Sequence, residues 1–439
     1  MFYILCPNSV RFDNECKDYG GLTQFRMLPV RCGDAYLLKS ARGSYLVDGG
    51  VHSGFLPEML YERTVGKIRA AICTYPSPER LGGILDLMEK GYKVSEYWLP
   101  DWAFVMPMLA CGFNGDWPGW FDLCEWPVPE DVNISGCSSY LLLGRGWLES
   151  AATLVALGVA ACSGRAPVGS RPRQIVDNSL TILSEQVAGR VVGTPGGVGQ
   201  ALQVLGQGYK DWGGVEDVVL LCGRLLYHEA EAMVGSECKG RKLAAQGIAL
   251  AVMTMALSVS VSGDVRYFRQ TGQLEDSFVP RHPFKIVNGV EVRSWEGLPP
   301  RVTPENLLSA ACCPFAKGKG LVLRYGDGCC GALFCGDTTL SFLNRRRSLM
   351  LDHPTVVTAP RQGGSSADQA YKYILSVNPE KNVWVRSHYS YACKVSDAFK
   401  ELPNKVCLNN CTHRTMQEVL LSFTGRRWDW LAGGGCVCG

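Results

Sequence analysis

Short apolar runs closed by glycine or aspartate dominate the first hundred residues. Phe25 to Val30, Ala35 to Lys39 and Ser44 to Asp48 have the length and composition of strands. Gly33-Asp34 and Ala41-Arg42-Gly43 separate them, and Gly49-Gly50 ends the third. Leu56 to Arg63 reads as a helix and Ile68 to Cys73 as a buried strand. Gly83 to Gly91 reads as a second helix, with Ile84, Leu85, Leu87 and Met88 on its apolar face, and Tyr97-Trp98-Leu99 as the next strand. Between strand and helix stands a polar tetrad, Tyr75, Ser77, Glu79 and Arg80, followed by Gly82-Gly83.

From about 146 to 262 the period changes to that of helices. Leu148, Ala151, Ala152, Val155 and Val159 recur at helical spacing, as do Ile175, Val176, Leu180, Leu183 and Val187, and then Val218, Leu221, Leu225 and Leu226. The last third returns to strands: Phe284–Val287, Val290–Arg293, Gly320–Tyr325, Gly331–Cys335, Thr355–Ala359, Val383–Arg386 and Glu418–Phe423. Tyr325-Gly-Asp-Gly328 has the composition of a hairpin turn. Arg345-Arg-Arg347 reads as a solvated helix end. The alternation predicts two strand-rich halves, 1–145 and 263–439, around a helical block, 146–262.

Composition adds exclusions. With 46% hydrophobic and 19% charged residues in 439, the chain can bury a large core and is not of disordered type. A net charge of +3 does not by itself argue for a nucleic-acid or membrane surface. The 20 cysteines do not fall at zinc-ribbon spacing, and the start, MFYILCPNSVRFDNE, lacks the basic and apolar regions of a secretory leader. Reduced, buried thiols in a cytoplasmic protein are the expectation. Leu243 to Gly263, rich in Ala, Ser and Gly and interrupted by Gln246, reads as a buried helix under a sheet rather than a membrane span.

Four pieces together resemble the metallo-β-lactamase-fold hydrolases. "PVRCGDAYLLKSARGSYLVDGG" is similar to that family's opening hairpins, with a Gly-Asp turn and a closing Asp-Gly-Gly. "ICTYPSPERLGGI" falls where the family carries Thr-His-x-His-x-Asp-His-x-Gly-Gly. "LVLRYGDGCCGALFCGDTT" resembles its later hairpin ending in Gly-Asp, and "VVTAPRQGGS" falls where members often have a strand followed by His-His-Gly-Ser. "VWVRSHYSYACKVSDAFKEL" and "NNCTHRTMQEVLLSF" bring the likeness closest to the soluble domain of bacterial competence DNA-uptake channels and its free-standing relatives. The resemblance covers about 20–110 and 264–425. It implies an α/β fold, a metallo-β-lactamase-like αββα sandwich, into which the helical block is a large insertion.

The family's zinc centre needs neutral imidazoles and carboxylates at about 2.0–2.2 Å from the metal, with one position open for water. On that pattern the two first His positions hold Tyr75 and Ser77, the Asp position Glu79 and the third His position Arg80. The bridging carboxylate is kept as Asp337, and the later His position is Arg361, or Gln362 one residue on. A guanidinium cannot coordinate a cation. The six histidines, His52, His228, His282, His353, His388 and His413, have no partners at ligand spacing. The expectation is therefore no metal, no cofactor and no catalytic residue. Arg80 and Arg361 would stand where two cations stood, each pairing bidentately with Glu79 or Asp337. Ordinary exposed loop groups in weak pairs are the alternative. Asp34 and Asp48 read as turn and backbone-capping residues, and no base lies near Tyr75 or Ser77 to make either a nucleophile.

The resulting expectation is a non-catalytic member of the fold. It would act as a binding or scaffold subunit of a bacterial multi-protein system, anti-phage defence among them, with protein partners on the helical block and on the aromatic-rich segment 102–127. Two alternatives stand beside it: a hydrolase with one hard cation on Glu79 and Asp337, and a sensor that binds a phosphate-containing ligand in the same pocket. No membrane partner is expected.

Overall fold

The computed structural model describes residues 22–103, 105–106, 109, 220, 223, 227, 239–292, 303–316, 318–344, 347–387, 395–410 and 415–432. The first strands are β1 (Gln24–Met27), β2 (Tyr36–Ser40) and β3 (Gly43–Val47). Helix α1 (Leu56–Glu62), β4 (Ile68–Ile72), α2 (Pro78–Glu89) and β5 (Val94–Pro100) follow. After α3 (Lys239–Ser260) come β6 (Asp264–Gln270), β7 (Ser277–Phe278), β8 (Phe284–Ile286) and β9 (Gly289–Val292). Then come α4 (Pro304–Cys312), β10 (Leu323–Gly326), β11 (Gly331–Phe334), β12 (Leu349–Leu351), β13 (Thr355–Thr358), β14 (Ile374–Ser376) and β15 (Val383–Arg386). The chain closes with α5 (Asp397–Lys400), β16 (Lys405–Cys407), β17 (Asn409–Asn410), β18 (Thr415–Met416), β19 (Val419–Phe423) and β20 (Trp428–Ala432).

These strands build a mixed α/β protein with two large sheets. One has nine strands in the order β20-β19-β1-β2-β3-β4-β5-β6-β9, the other seven in the order β16-β15-β13-β11-β10-β8-β7. In the first, β3, β4, β5 and β6 run parallel, and α1 and α2 are the crossovers between β3, β4 and β5. In the second, β11, β13, β15 and β16 are parallel. Parallel strands need such crossovers, and the carboxyl ends of the strands in each parallel run lie at one edge of its sheet.

Period-2 alternation along β2 to β5 sends one set of residues to each face. Tyr36, Leu38, Tyr45, Val47, Ala70, Ile72 and Trp98 join Phe284, Ile286, Tyr325, Phe334, Val356 and Val385 of the second sheet in one shared core. Leu37, Leu46, Ala71, Tyr97 and Leu99 face α1, α2 and α3 in a second core. A third lies on the far face of the seven-stranded sheet, with Val357, Trp384, Tyr371 and Phe399. At the heart of the shared core Phe284 meets Tyr45 at 5.1 Å, Tyr325 at 5.4 Å and Trp98 at 5.8 Å between ring centroids, edge to face.

Most expected elements form within a residue or two. The segment around Leu243–Gly263 is the buried helix α3, lined by Ile248, Val252 and Leu257, and no described helix is long and apolar enough to cross a membrane. Gly247 lets α4 approach it, since a Cβ there would overlap the Ala311 carbonyl oxygen. This stretch of the 146–262 block thus belongs to the same core as the first sheet. The hairpin at Tyr325 to Gly328 forms, with Gly326 opposite Gly331 and Asp327 accepting from the Cys329 and Cys330 amides.

Other expectations shift. Helix α2 begins at Pro78 rather than Gly83, because Ser77 is extended and Pro78 is pre-set for a first turn, so Glu79 and Arg80 are helical. The aromatic segment opens as helix, with Trp102, Ala103, Met106 and Leu109 buried in the core. Arg347 sits in a short bridge with Asn344 rather than at a helix end. Among the described cysteines Cys32, Cys73, Cys312, Cys313, Cys330, Cys335 and Cys407 are in the thiol form, whereas Cys329 is disulfide-bonded. The helical repeats at 148–159 and 175–187, the rest of 102–127, Arg345, His228, His388 and His413 lie outside the described residues.

Truncating Phe284 to Ala would remove the ring that joins three aromatic neighbours across the two sheets. A loss of about 3–5 kcal/mol in unfolding free energy is expected, read from the urea midpoint at constant m.

Candidate functional site

The charged groups singled out from the sequence gather where strand ends of both sheets meet. Asp34 precedes β2, Asp48 follows β3, Thr74 follows β4, Asp337 follows β11, Arg361 and Gln362 follow β13, and Ser387 follows β15. Arg80 reaches this edge from the first turn of α2. Two backbone devices hold the loops in place. Gly33, at φ +83°, passes so close to the Glu79 carbonyl that a side chain there would collide with it. The Asp34 amide and the Gly49 amide then donate to the Glu79 and Arg80 carbonyls at 3.4 and 2.8 Å.

Arg80 is the centre of the cluster and is buried, with 3% of its side chain exposed. Its Nη2 pairs with Asp34 Oδ2, and its Nη1 lies 2.6 Å from Asp48 Oδ2. Asp48 is saturated. Its Oδ1 accepts from the Thr74 amide at 2.7 Å, and the Thr74 hydroxyl donates to both carboxylate oxygens at 2.9 and 2.7 Å. Asp34 Oδ1 accepts from Gln362 Nε2 at 3.1 Å and from the Ser387 hydroxyl. Asp48 holds φ at +58°, a left-handed conformation that Asp tolerates better than most residues. Arg361 and Gln362 are also left-handed, at +47° and +55°, and the Arg361 amide is tied to the Gly336 carbonyl at 3.1 Å.

Electrostatics follow from burial. The Asp48 carboxyl is pushed up to about 6, chiefly by desolvation; Arg80 and Thr74 pull it down and the Asp34 charge adds to the rise. Burial opposes the charge of Arg80, but Asp34, Asp48 and Asp337 outweigh it and hold the guanidinium protonated well above its usual range. Asp337 is also raised, by burial first, against the pull of Arg80 and Arg361, and solvent at its exposed edge limits the rise.

The expected pairings are rearranged. Arg80 does not pair with Glu79: Glu79 is exposed, with its carboxylate beside Cys32, because one residue along a helix turns the side chain by about 100°. Arg361 reaches Asp337 only at 3.9 Å, Nε to Oδ1, which is a long ion pair and not a bidentate one. Ser77 is the residue before α2 and makes no side-chain cap. Tyr75 is buried, and its hydroxyl donates to the Cys313 carbonyl, so it is not presented as an acid or nucleophile. Asp34 and Asp48 do more than shape turns, since they supply both carboxylates for Arg80. The signal for this was present: a buried guanidinium needs carboxylates, and Asp34 and Asp48 stand in the turns before β2 and after β3. Nothing in the sequence marked Ser387.

Of the histidines, His52 Nδ1 lies 2.5 Å from Asp86 and His282 Nε2 lies 2.9 Å from Glu96, both away from Arg80's carboxylates. Among the described residues no group of three or more His, Cys, Asp or Glu is placed to hold a metal ion.

Arg80→Met would leave Asp34 and Asp48 buried without a cation. The expected loss at pH 7.5 is about 3–5 kcal/mol in urea unfolding. In the wild type the raised Asp48 has the opposite sign from a surface carboxylate: its stabilising contribution is full below its unfolded value and is lost as pH rises through about 6. Stability attributable to this group therefore grows on acidification from pH 7 to 5, and Asp48→Asn removes that slope. No protein-family model matches the chain, and no curated protein matches it significantly.

Proposed function

We propose that the chain is a metallo-β-lactamase-like αββα protein in which an arginine–aspartate cluster has taken the place of the metal centre. It works as a non-catalytic binding or scaffold subunit of a bacterial multi-protein system, anti-phage defence being the setting that the resemblance suggests. The observation that carries this reading is Arg80, buried between Asp34 and Asp48. The residues do not fit zinc. The two best-buried carboxylates of the site already share a permanent cation, a divalent ion between them would face that guanidinium, and among the described residues no group of three or more His, Cys, Asp or Glu is placed to hold one.

A phosphate-binding pocket is the second reading, favoured by Arg361, which is only loosely held by Asp337 at 3.9 Å and keeps 18% of its side chain exposed. The hydrolase reading has less support, since Glu79 lies beside Cys32 rather than with Asp337. Protein grown with added zinc and manganese and analysed by mass spectrometry should carry well under one ion per chain. Stoichiometric metal, lost together with a hydrolytic activity in a Glu79→Ala/Asp337→Ala variant, would overturn the non-catalytic reading.

A further inference from the structure

A second concentration of charge lies at the opposite end of the nine-stranded sheet. Arg42 immediately precedes β3, whereas Asp48 immediately follows it, so the five residues of the strand separate the two ends by roughly 17 Å at about 3.3 Å per residue. Arg69 is the second residue of β4, and Arg281 lies in the turn before β8. All three arginines are exposed. The stem of Arg69 lies across Gly43, where an added Cβ would sit 3.4 Å from its Cβ and Cδ.

Arg69 is fixed by main-chain oxygens and not by a carboxylate. Its Nη1 donates to the Arg42 carbonyl and its Nη2 to the Arg281 carbonyl, each at 3.1 Å. One guanidinium thus ties together two turns from different sheets, each of which carries another arginine. Arg281 adopts a left-handed backbone at φ +68°, which a residue with a Cβ takes up at a cost. Among the described residues no ion pair is made by Arg42, Arg69 or Arg281.

The nearby acids are already engaged. Glu96 accepts from Arg266 at 3.1 Å, from Trp98 at 2.9 Å, and meets His282 at 2.9 Å; Glu291 takes Arg266 at 2.8 Å. Asp276 is bound to Lys285 at 2.8 Å. Arg42, Arg69 and Arg281 are thus gathered without a direct ion pair among the described residues, and most of their side-chain N–H groups make no hydrogen bond there. Their planar forks match the oxygens of phosphate groups.

We propose that Arg42, Arg69 and Arg281 form a binding site for a small ligand bearing several phosphates, free polyphosphate or a nucleoside polyphosphate. The compact grouping around one central guanidinium suits a short, highly charged anion. Arg69 orients the site, and Arg42 and Arg281 close on the ligand from the two turns.

Calorimetric titration of the full chain with inorganic tripolyphosphate and with ATP tests this. Saturable binding that weakens steeply with salt is expected. Arg42→Gln/Arg281→Gln should lower the affinity by about tenfold or more while leaving the urea midpoint unchanged, because among the described residues both side chains are exposed and make no ion pair. Arg69→Gln should abolish binding, and its urea midpoint reports any loss of fold separately. Equal affinity for both probes assigns recognition to the phosphates alone, and tighter ATP binding adds a contact to the nucleoside; either supports the site. Absence of saturable binding at millimolar probe, or binding undiminished in the double variant, overturns it. So does a single-stranded oligonucleotide bound far more tightly than tripolyphosphate through the same arginines, which would make the patch a nucleic-acid surface. A negative result leaves the role of the Arg80 cluster untouched.

Discussion

Arg80 brings a full positive charge to the place where the two sheets meet, and nearly everything around it answers that charge. A buried guanidinium without partners would cost many kcal/mol, so the loop before β2 and the loop after β3 each deliver a carboxylate. The carboxylates in turn need donors, which come from Thr74 after β4, Gln362 after β13 and Ser387 after β15. The ion triad thereby links strand ends of both sheets. Burial and the neighbouring Asp34 charge push the Asp48 carboxyl up to about 6, and Arg80 between the two carboxylates pulls against that rise.

This arrangement does two physical jobs at once. It closes the edge of the inter-sheet core with polar groups that satisfy one another, and it positions Asp337 and Arg361 in a half-exposed rim above the triad. Strain gathers at the same place, in the left-handed backbones of Asp48, Arg361 and Gln362. The strain surrounds the proposed binding or scaffold site, where one buried guanidinium is shared by two carboxylates. The arginine group at the far end of the first sheet follows the opposite logic, because Arg69 is held by the Arg42 and Arg281 carbonyls and all three side chains are exposed.

How much of this could be read in advance depends on the range of the interaction. The strands β1 to β5 and the hairpin at Asp327 follow from alternation, apolar runs and turn residues within a few positions. The start of α2 was obscured because a polar tetrad looks like a loop until Pro78 is recognised as a first-turn residue. Arg80 was identifiable as a charge near a strand end, but its partners lie 46 and 32 positions away on other loops, as the pairs with Asp34 and Asp48 show. Glu79, one of the two partners that the resemblance offers it, is next to it in the chain and for that reason cannot share its direction on a helix.

The sequence by itself determined the strand and helix pattern, the apolar helix ahead of β6 and the gathering of polar residues at successive strand ends, because each depends on local period and turn chemistry. Only the tertiary structure decided which carboxylate meets which guanidinium, that Trp102 is core and Glu79 surface, and that Arg69 meets the main chain at Arg42 and Arg281. Those outcomes depend on how two twisted sheets and their crossovers bring distant loops within about 3 Å, the range over which a buried charge is satisfied.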